Sequence, residues 1–458
     1  MKKAYYLLII SQMIFILKVK AQSEGFKTSN QNKFDSSGNW TYHFQLTTIY
    51  QMHPAFSASV NGPNSLTNDK DDALSLTTTL FIGRKLWKNA SFYFNPEIAG
   101  GMGVGSVLGM GGAFNGETFR VDNIAPTPYI ARCYIQQHFP IGISKKNEYM
   151  DNDVNQVKEI IPASRITMSA GKFSIADFFD DNKYSHDPRT QFMNWSLMSN
   201  TGWDYPANTR GYTWGVVVEY IKPMWAARVG ICTVPLVPNG MWFDWNISKA
   251  NSKTLEFEKK LTIHNRKGKI RILAYETDSK APSYRDAINR MKTGDYSMTN
   301  LFVGDSQWYQ YGGVKYGAGI SFDQEIMDDI ALFGRVGWGD GHSSIWAFTE
   351  VDHSASAGLH FEGKKWKRPD DVFGIAYVID GLSQDHIDYL NAGGLTFMLG
   401  DGKGNLNYGN EQIIETFYNL NLTPSLWLGL DYQLAFNPGY NKDRGPVNVF
   451  GLRVHVEF

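Results

Sequence analysis

The final nine residues constrain the fold more than any other segment. Phe450, Leu452, Val454, Val456 and Phe458 alternate strictly with Gly451, Arg453, His455 and Glu457. Successive side chains on a strand point to opposite faces, so this segment has one oily side and one wet side. A soluble sandwich would bury the oily side under a second sheet. A closed barrel would set it against lipid and turn the wet side to an aqueous lumen. The terminal aromatic favours the barrel.

The same period recurs along the chain. Trp40, Tyr42, Phe44, Leu46 and Tyr50 alternate with Thr41, His43, Gln45 and Thr47, and Leu426, Leu428, Leu430, Tyr432, Leu434 and Phe436 with Trp427, Gly429, Asp431 and Gln433. Tyr129, Ala131, Cys133 and Ile135 face away from Arg132, Tyr134 and Gln136; Trp214, Val216, Val218 and Tyr220 alternate with Thr213, Gly215 and Glu219; Ile166, Met168 and Ala170 alternate with Arg165, Thr167 and Ser169. Aromatics begin or end several of these oily faces, as interfacial girdles require. No amphipathic helix competes. Turn signals such as Asn61-Gly62-Pro63, Asn115-Gly116, Asp340-Gly341 and Asn437-Pro438-Gly439 separate the strands. The charge-rich stretches Ser144–Val157 and Ser248–Lys260 read as solvated connectors or extended hairpin tips.

Met1-Lys2-Lys3, the apolar run Ala4–Leu17 and the small residue Ala21 have the layout of a secretory signal peptide over residues 1–21. A membrane anchor is the alternative, but the run is short of the roughly 20 residues a spanning helix needs. No comparable run follows. An exported chain without such a helix is either soluble or a closed outer-membrane barrel. With no linker or low-complexity tract, residues 22–458 read as one domain. Cys133 and Cys232 are too few for a disulfide framework and are read as unpaired. The balance of 44 Lys+Arg against 45 Asp+Glu excludes nucleic acid as the main partner, because phosphate binding needs a basic excess.

Motifs for catalysis, metals and cofactors are missing. The run Gly100–Gly105 fails the dinucleotide spacing and reads as a strand end or bulge. Asp151, Asp153 and Asn155 imitate a calcium loop, but Gln156 stands where its turn glycine belongs. We therefore expect neither an enzyme nor a metal site. A paired-carboxylate hydrolase among the many acids is not excluded by sequence, though nothing marks a cleft for it.

Residues 171–214 break the strand periodicity. Phe178, Phe179, Trp195, Trp203, Asp187, Arg189, Asp204 and Arg210 interleave there with amides. Aromatic faces can stack on sugar C–H surfaces while carboxylates, amides and guanidinium groups meet hydroxyls. The segment suits a loop folded into a pore. A surface loop with its own polar network fits the composition as well.

This stretch resembles the signature of the carbohydrate-selective porins, the OprB family of Gram-negative outer membranes. The resemblance continues in Tyr93–Gly101, Asn115–Val121, Arg368–Asp371, Asn437–Asn441 and Asp443–Val447. It implies an all-β, transmembrane antiparallel outer-membrane β-barrel of about 16 strands, with an inward-folded constriction loop. It further implies passive diffusion of mono- or oligosaccharides, without a cofactor. A general porin, a barrel enzyme or receptor, and a soluble secreted sugar-binding protein remain the alternatives.

Strand phase and the resembling blocks nominate the pore-lining candidates. Arg132, Arg165, Glu219, Asp431, Arg453 and Glu457 follow from phase, and Glu97 and Arg120 from the blocks. Asp187, Arg189, Trp195, Trp203, Asp204 and Arg210 come from the loop. Each charged residue could equally be half of an ion pair that stiffens the wall. The four loop aromatics Phe178, Phe179, Trp195 and Trp203 could form a stacking slide or anchor the loop. Expected partners are outer-membrane lipid, the barrel-assembly machinery through Phe458, and further copies in a homotrimer by fold-level analogy.

Overall fold

The computed structural model describes residues 38–142, 146–302 and 308–458. The expected signal peptide lies outside them. Among the described residues, sixteen antiparallel strands close a barrel. The first half comprises β1 (Trp40–His53), β2 (Asp71–Trp87), β3 (Ala90–Gly101), β4 (Thr127–Pro140), β7 (Arg165–Phe173), β8 (Thr213–Lys222), β9 (Trp225–Cys232) and β10 (Asn251–Ile263). The second comprises β11 (Arg266–Ser279), β12 (Gly313–Met327), β13 (Ile330–Gly339), β14 (His353–Glu362), β15 (Val372–Gly381), β16 (Glu411–Thr423), β17 (Leu426–Phe436) and β18 (Val447–Glu457). The strands β5 (Asn147–Met150) and β6 (Glu159–Pro162) form a separate hairpin. Pairing of β1 with β18, from Gln45↔Glu457 to Met52↔Phe450, removes the free edges.

Alternation explains the two surfaces. Leu255, Ile272, Val336, Leu430 and Phe450 are exposed on the outside, whereas Thr77, Arg271, Glu415 and Gln433 are buried inside. Lipid therefore meets hydrocarbon, and the wall's polar groups turn inward.

Three expectations need correction. Asn251–Ile263 is not a connector but a full strand, with Glu256 and Glu258 buried inside and Leu255 and Phe257 exposed outside. Carboxylates on its wet face disguised it as a loop. In β4, the register shifts between Asn95↔Arg132 and Pro96↔Ile130, a bulge that brings Tyr129 onto the lumen side with Arg132. Short helices also occur where none was expected. Besides α1 (Trp195–Met198), α2 (Tyr284–Lys292) and α3 (Gln384–Asn391) lie in long loops and are N-capped by Ser283 and Ser383.

Most long loops gather at one end of the barrel, and the other end carries short turns except between β4 and β7 and between β14 and β15. A sixteen-strand barrel is wide enough for an aqueous lumen. Here the loop of residues 174–212, between β7 and β8, folds inward and occupies part of it. Most of that loop is irregular, so its backbone groups need partners inside the barrel. The wall supplies them. Glu415 accepts from the Asn194 amide at 3.0 Å and also from Met193. Arg453 donates to the carbonyls of Pro188 and Gln191, both at 2.7 Å. Arg335 donates to Asp180 at 2.9 Å and to the Leu197 carbonyl at 2.9 Å. Glu256 accepts from the Asp180 amide at 2.7 Å. Where the loop touches β13, the wall is glycine: a Cβ on Gly337 would sit 2.0 Å from the Asn200 Oδ1.

Replacing Arg335 by Met would leave the buried Asp180 carboxylate without its cation. Breaking one side of a buried pair costs about 3–5 kcal/mol, and we expect the loop to detach while the barrel persists. Limited proteolysis should cut Arg335→Met within 174–212 although the protein keeps its heat-modifiable gel migration. Wild-type protease resistance would contradict the pinning role.

Candidate functional site

The constriction loop leaves a cavity of about 930 Å³ against the wall of β1–β4 and β7–β11. Its described lining carries eight carboxylates and eight cations. Glu97, Glu117, Glu148, Asp177, Asp181, Asp187, Glu219 and Glu258 face Arg132, Arg165, Arg189, Arg210, Lys222, Arg228, Lys260 and Lys269. The formal charge of the lining is therefore zero, with the two histidines His138 and His186 taken as neutral.

Its most tightly bonded part is a neck centred on Arg189. This loop guanidinium reaches Glu97 at 3.1 Å, Glu117 at 2.9 Å and the Gln45 side chain at 3.0 Å. It thereby ties β1, β3 and the 102–126 loop to the constriction loop. Glu97 also accepts from the hydroxyls of Thr79 and Tyr129, and from Tyr212 at 3.0 Å. Beside it, Arg132 grips Asp177 through two bonds, one of 2.7 Å, and its guanidinium lies 5.3 Å from the Tyr212 ring. Arg210 donates to Asp122 at 2.7 Å and stacks 3.9 Å from the Phe119 ring. Farther along, Arg228 joins Glu219 at 2.9 Å to Glu256 at 2.8 Å.

Burial disfavours the Arg189 charge, yet Glu117 and Glu97 outweigh it and hold the guanidinium well above its ordinary range. One cation cannot fully compensate two carboxylates. Burial accordingly pushes the Glu117 carboxyl above its usual value; Arg189 opposes this, while Glu97 and Asp187 add to it. The Tyr212 hydroxyl is raised too, first by burial and then by Glu97. It stays a neutral donor and acceptor.

The structure sorts the sequence candidates. Glu97, Arg132, Arg165, Asp187, Arg189, Trp195 and Arg210 border the cavity, as does Glu219. The other six lie outside this cavity. Arg453 is buried beneath the constriction loop that it pins. Asp431 is also buried, and it accepts from Gln433 at 3.0 Å. Asp204 accepts three backbone amides, from Trp346, Ala347 and Phe348, at 2.8–2.9 Å, and so ties two loops together. Trp203 is 1% exposed and packs on Phe179 and Tyr205. Arg120 donates to the Phe397 carbonyl among the outer loops. Glu457 bonds Gln45 at 2.8 Å near the short-turn end.

No slide forms from Phe178, Phe179, Trp195 and Trp203. Phe179 and Trp203 are interior packing, while Phe178 and Trp195 border the cavity, Trp195 stacked on Phe348 at 5.5 Å. Sequence reasoning missed Gln45, Glu117, Tyr129, Asp177, Tyr212 and Arg228 as lining groups. Strand phase could have nominated Gln45 and Arg228. Tyr129 was hidden by the bulge.

A closed antiparallel barrel with an oily exterior, long loops at one end and a loop-narrowed, charge-lined neck is an outer-membrane porin. The chain belongs to the carbohydrate-selective porin, OprB family, whose profile matches residues 64–458. This is the family its sequence blocks resemble, and it places the barrel in the bacterial outer membrane. The chain is similar in fold to the high-pH structure of Pseudomonas putida OprB, with a TM-score of 0.67 and 16% identity, over 95% of this chain and 97% of that one. The low-pH structure of the same protein matches with a TM-score of 0.50 and 13% identity, over 95% and 97%. Porin AaxA of Chlamydia pneumoniae is 21% identical over 320 residues, which cover 68% of this chain and 61% of that relative. The chain thus spans about three-fifths of the length of that curated relative.

Substituting Arg189 by Ala would leave Glu97 and Glu117 facing the neck without their shared cation. We expect higher single-channel conductance and a reversal potential displaced toward that of a cation-selective pore. Planar-bilayer recording in a KCl gradient reads both. Unchanged conductance and selectivity would show that the neck does not limit the current.

Proposed function

We propose that the protein is a passive outer-membrane channel that prefers small uncharged sugars. The observation that carries this reading is the lining's charge balance, eight acids against eight bases, joined largely by direct hydrogen bonds. A lining with no net charge gives neither anions nor cations an electrostatic advantage over neutral solutes. A polyhydroxylated solute can exchange its hydration for bonds to the neck's carboxylates, guanidinium groups and tyrosine hydroxyls. Those groups are already held in place by one another, so little is lost in ordering them. Binding must stay weak for the solute to leave.

The fold and family are those of a channel rather than an enzyme. We further infer that residues 1–21 are removed on export and that 22–458 forms one barrel domain. Its belt contacts outer-membrane lipid, and the exposed Phe458, its ring 5.2 Å from Phe44, is the handle for barrel assembly. Trimer formation is included by analogy with porins.

Liposome swelling tests the solute preference. Glucose, glucosamine and gluconate are close in size but differ in charge. The reading expects glucose to enter fastest and both charged analogues to lag. Equal rates for all three would indicate a general porin. No swelling with protein shown to be inserted would contradict an open channel.

A further inference from the structure

The connection between β4 and β7 is longer than the fold requires. These strands pair directly down to Pro140↔Arg165, so two residues could reverse the chain there. Residues 141–164 stand in their place, and the described part 146–163 builds the hairpin of β5 and β6. This hairpin does not project from the barrel. Its tip rests on inward-facing side chains of β1 and β3. Asn152 accepts from the Thr41 hydroxyl and lies 3.3 Å from His43; Asn155 accepts from Asn95 at 2.8 Å; the Val157 amide donates to Tyr93 at 3.4 Å. Thr41, Tyr93 and Asn95 are each at most 3% exposed, because the hairpin covers them.

The hairpin is also clamped at its base. Arg165 pairs with Glu148 at 2.9 Å, and Lys85 pairs with Glu159 at 2.7 Å. Its own Val157 and Ile161 are buried. Starting from β4 and β7, the segment reaches β1, so it crosses the short-turn mouth over four consecutive strands. Side chains of the hairpin, including Glu148, Tyr149, Asn155 and Gln156, line the same cavity as the neck. The cavity is thus narrowed twice, by the constriction loop from the long-loop end and by this hairpin from the other.

We propose that the 146–163 hairpin is a second filter of the channel, which sets the size limit at its periplasmic mouth. Tyr149, Asn155 and Gln156 are its specificity-determining contacts. The proposal holds for any solute and does not depend on a preference for sugars.

The test replaces residues 141–164 by Asn-Gly in the full chain and records single channels with neutral polyethylene glycols added to one side at a time. The expected result is a rise in conductance and a hairpin-side exclusion cutoff shifted to larger polymers, with the long-loop-side cutoff unchanged. Conductance and hairpin-side cutoff equal to wild type, in a barrel that keeps heat-modifiable migration, would overturn the proposal. Should the shortened chain fail to fold, Asn152→Ala/Asn155→Ala releases the tip alone. Added open-channel noise and a raised hairpin-side cutoff then support the filter, and wild-type traces overturn it.

Discussion

A chain folded inside a barrel must find partners for its backbone groups, and this constraint organises the lumen. The 174–212 loop has one short 3₁₀ turn, a one-turn helix and scattered tight turns, which leave many of its backbone groups in need of outside partners. An unpartnered buried amide or carbonyl costs about 1–3 kcal/mol. Glu415, Arg453, Arg335 and Glu256 remove that cost by bonding the loop's main chain directly. The loop can therefore hold Arg189 at the neck. Without those wall groups, the bonds from Arg189 to Glu97 and Glu117 would have no fixed origin.

The ionisable side chains of the lumen thus divide into two groups by what they touch. One group is buried, bonds backbone and has no access to solute: Arg335, Arg453, Glu415 and Asp204 belong to it. The other pairs side chain to side chain along the cavity, as Arg189, Glu97, Arg132, Asp177 and Arg228 do. A buried pair of charges need not add net stability, but removing one member is costly. Positions that look alike in a strand pattern therefore differ in consequence. Losing a pinning group frees the loop, whereas losing a lining group alters the field felt by the solute.

The fold was largely legible because lipid enforces a period of two over long segments. The β18 segment and the 426–436 strand could be read residue by residue. Strand β10 was not, since Glu256 and Glu258 on its wet face mimic a charged loop, and the β4 bulge inverted the phase of Tyr129. The site was legible only in part. Composition marked 171–214 as the loop in the pore, and Arg189 within it. Nothing local distinguishes the pinning Arg453 from the lining Arg132. Their partners lie far away in sequence, Pro188 for one and Asp177 for the other, and only closure of the barrel brings them together. The hairpin at 147–162 matches the hairpin-tip reading of its charged sequence, but its inward docking is not legible there, because its anchors Thr41 and Asn95 lie on β1 and β3, far away in sequence.

Together these features describe a passage whose walls are densely charged yet neutral in sum. The neck presents preformed donors and acceptors instead of a net field, and its geometry depends on the loop pinned behind it. The most direct measurement is the zero-current potential of the wild-type channel in a KCl gradient at neutral pH. The account predicts a value near zero, since the lining favours neither ion. A potential close to the Nernst value of either ion would mean that the charges do not balance along the conduction path, and the central claim would be wrong.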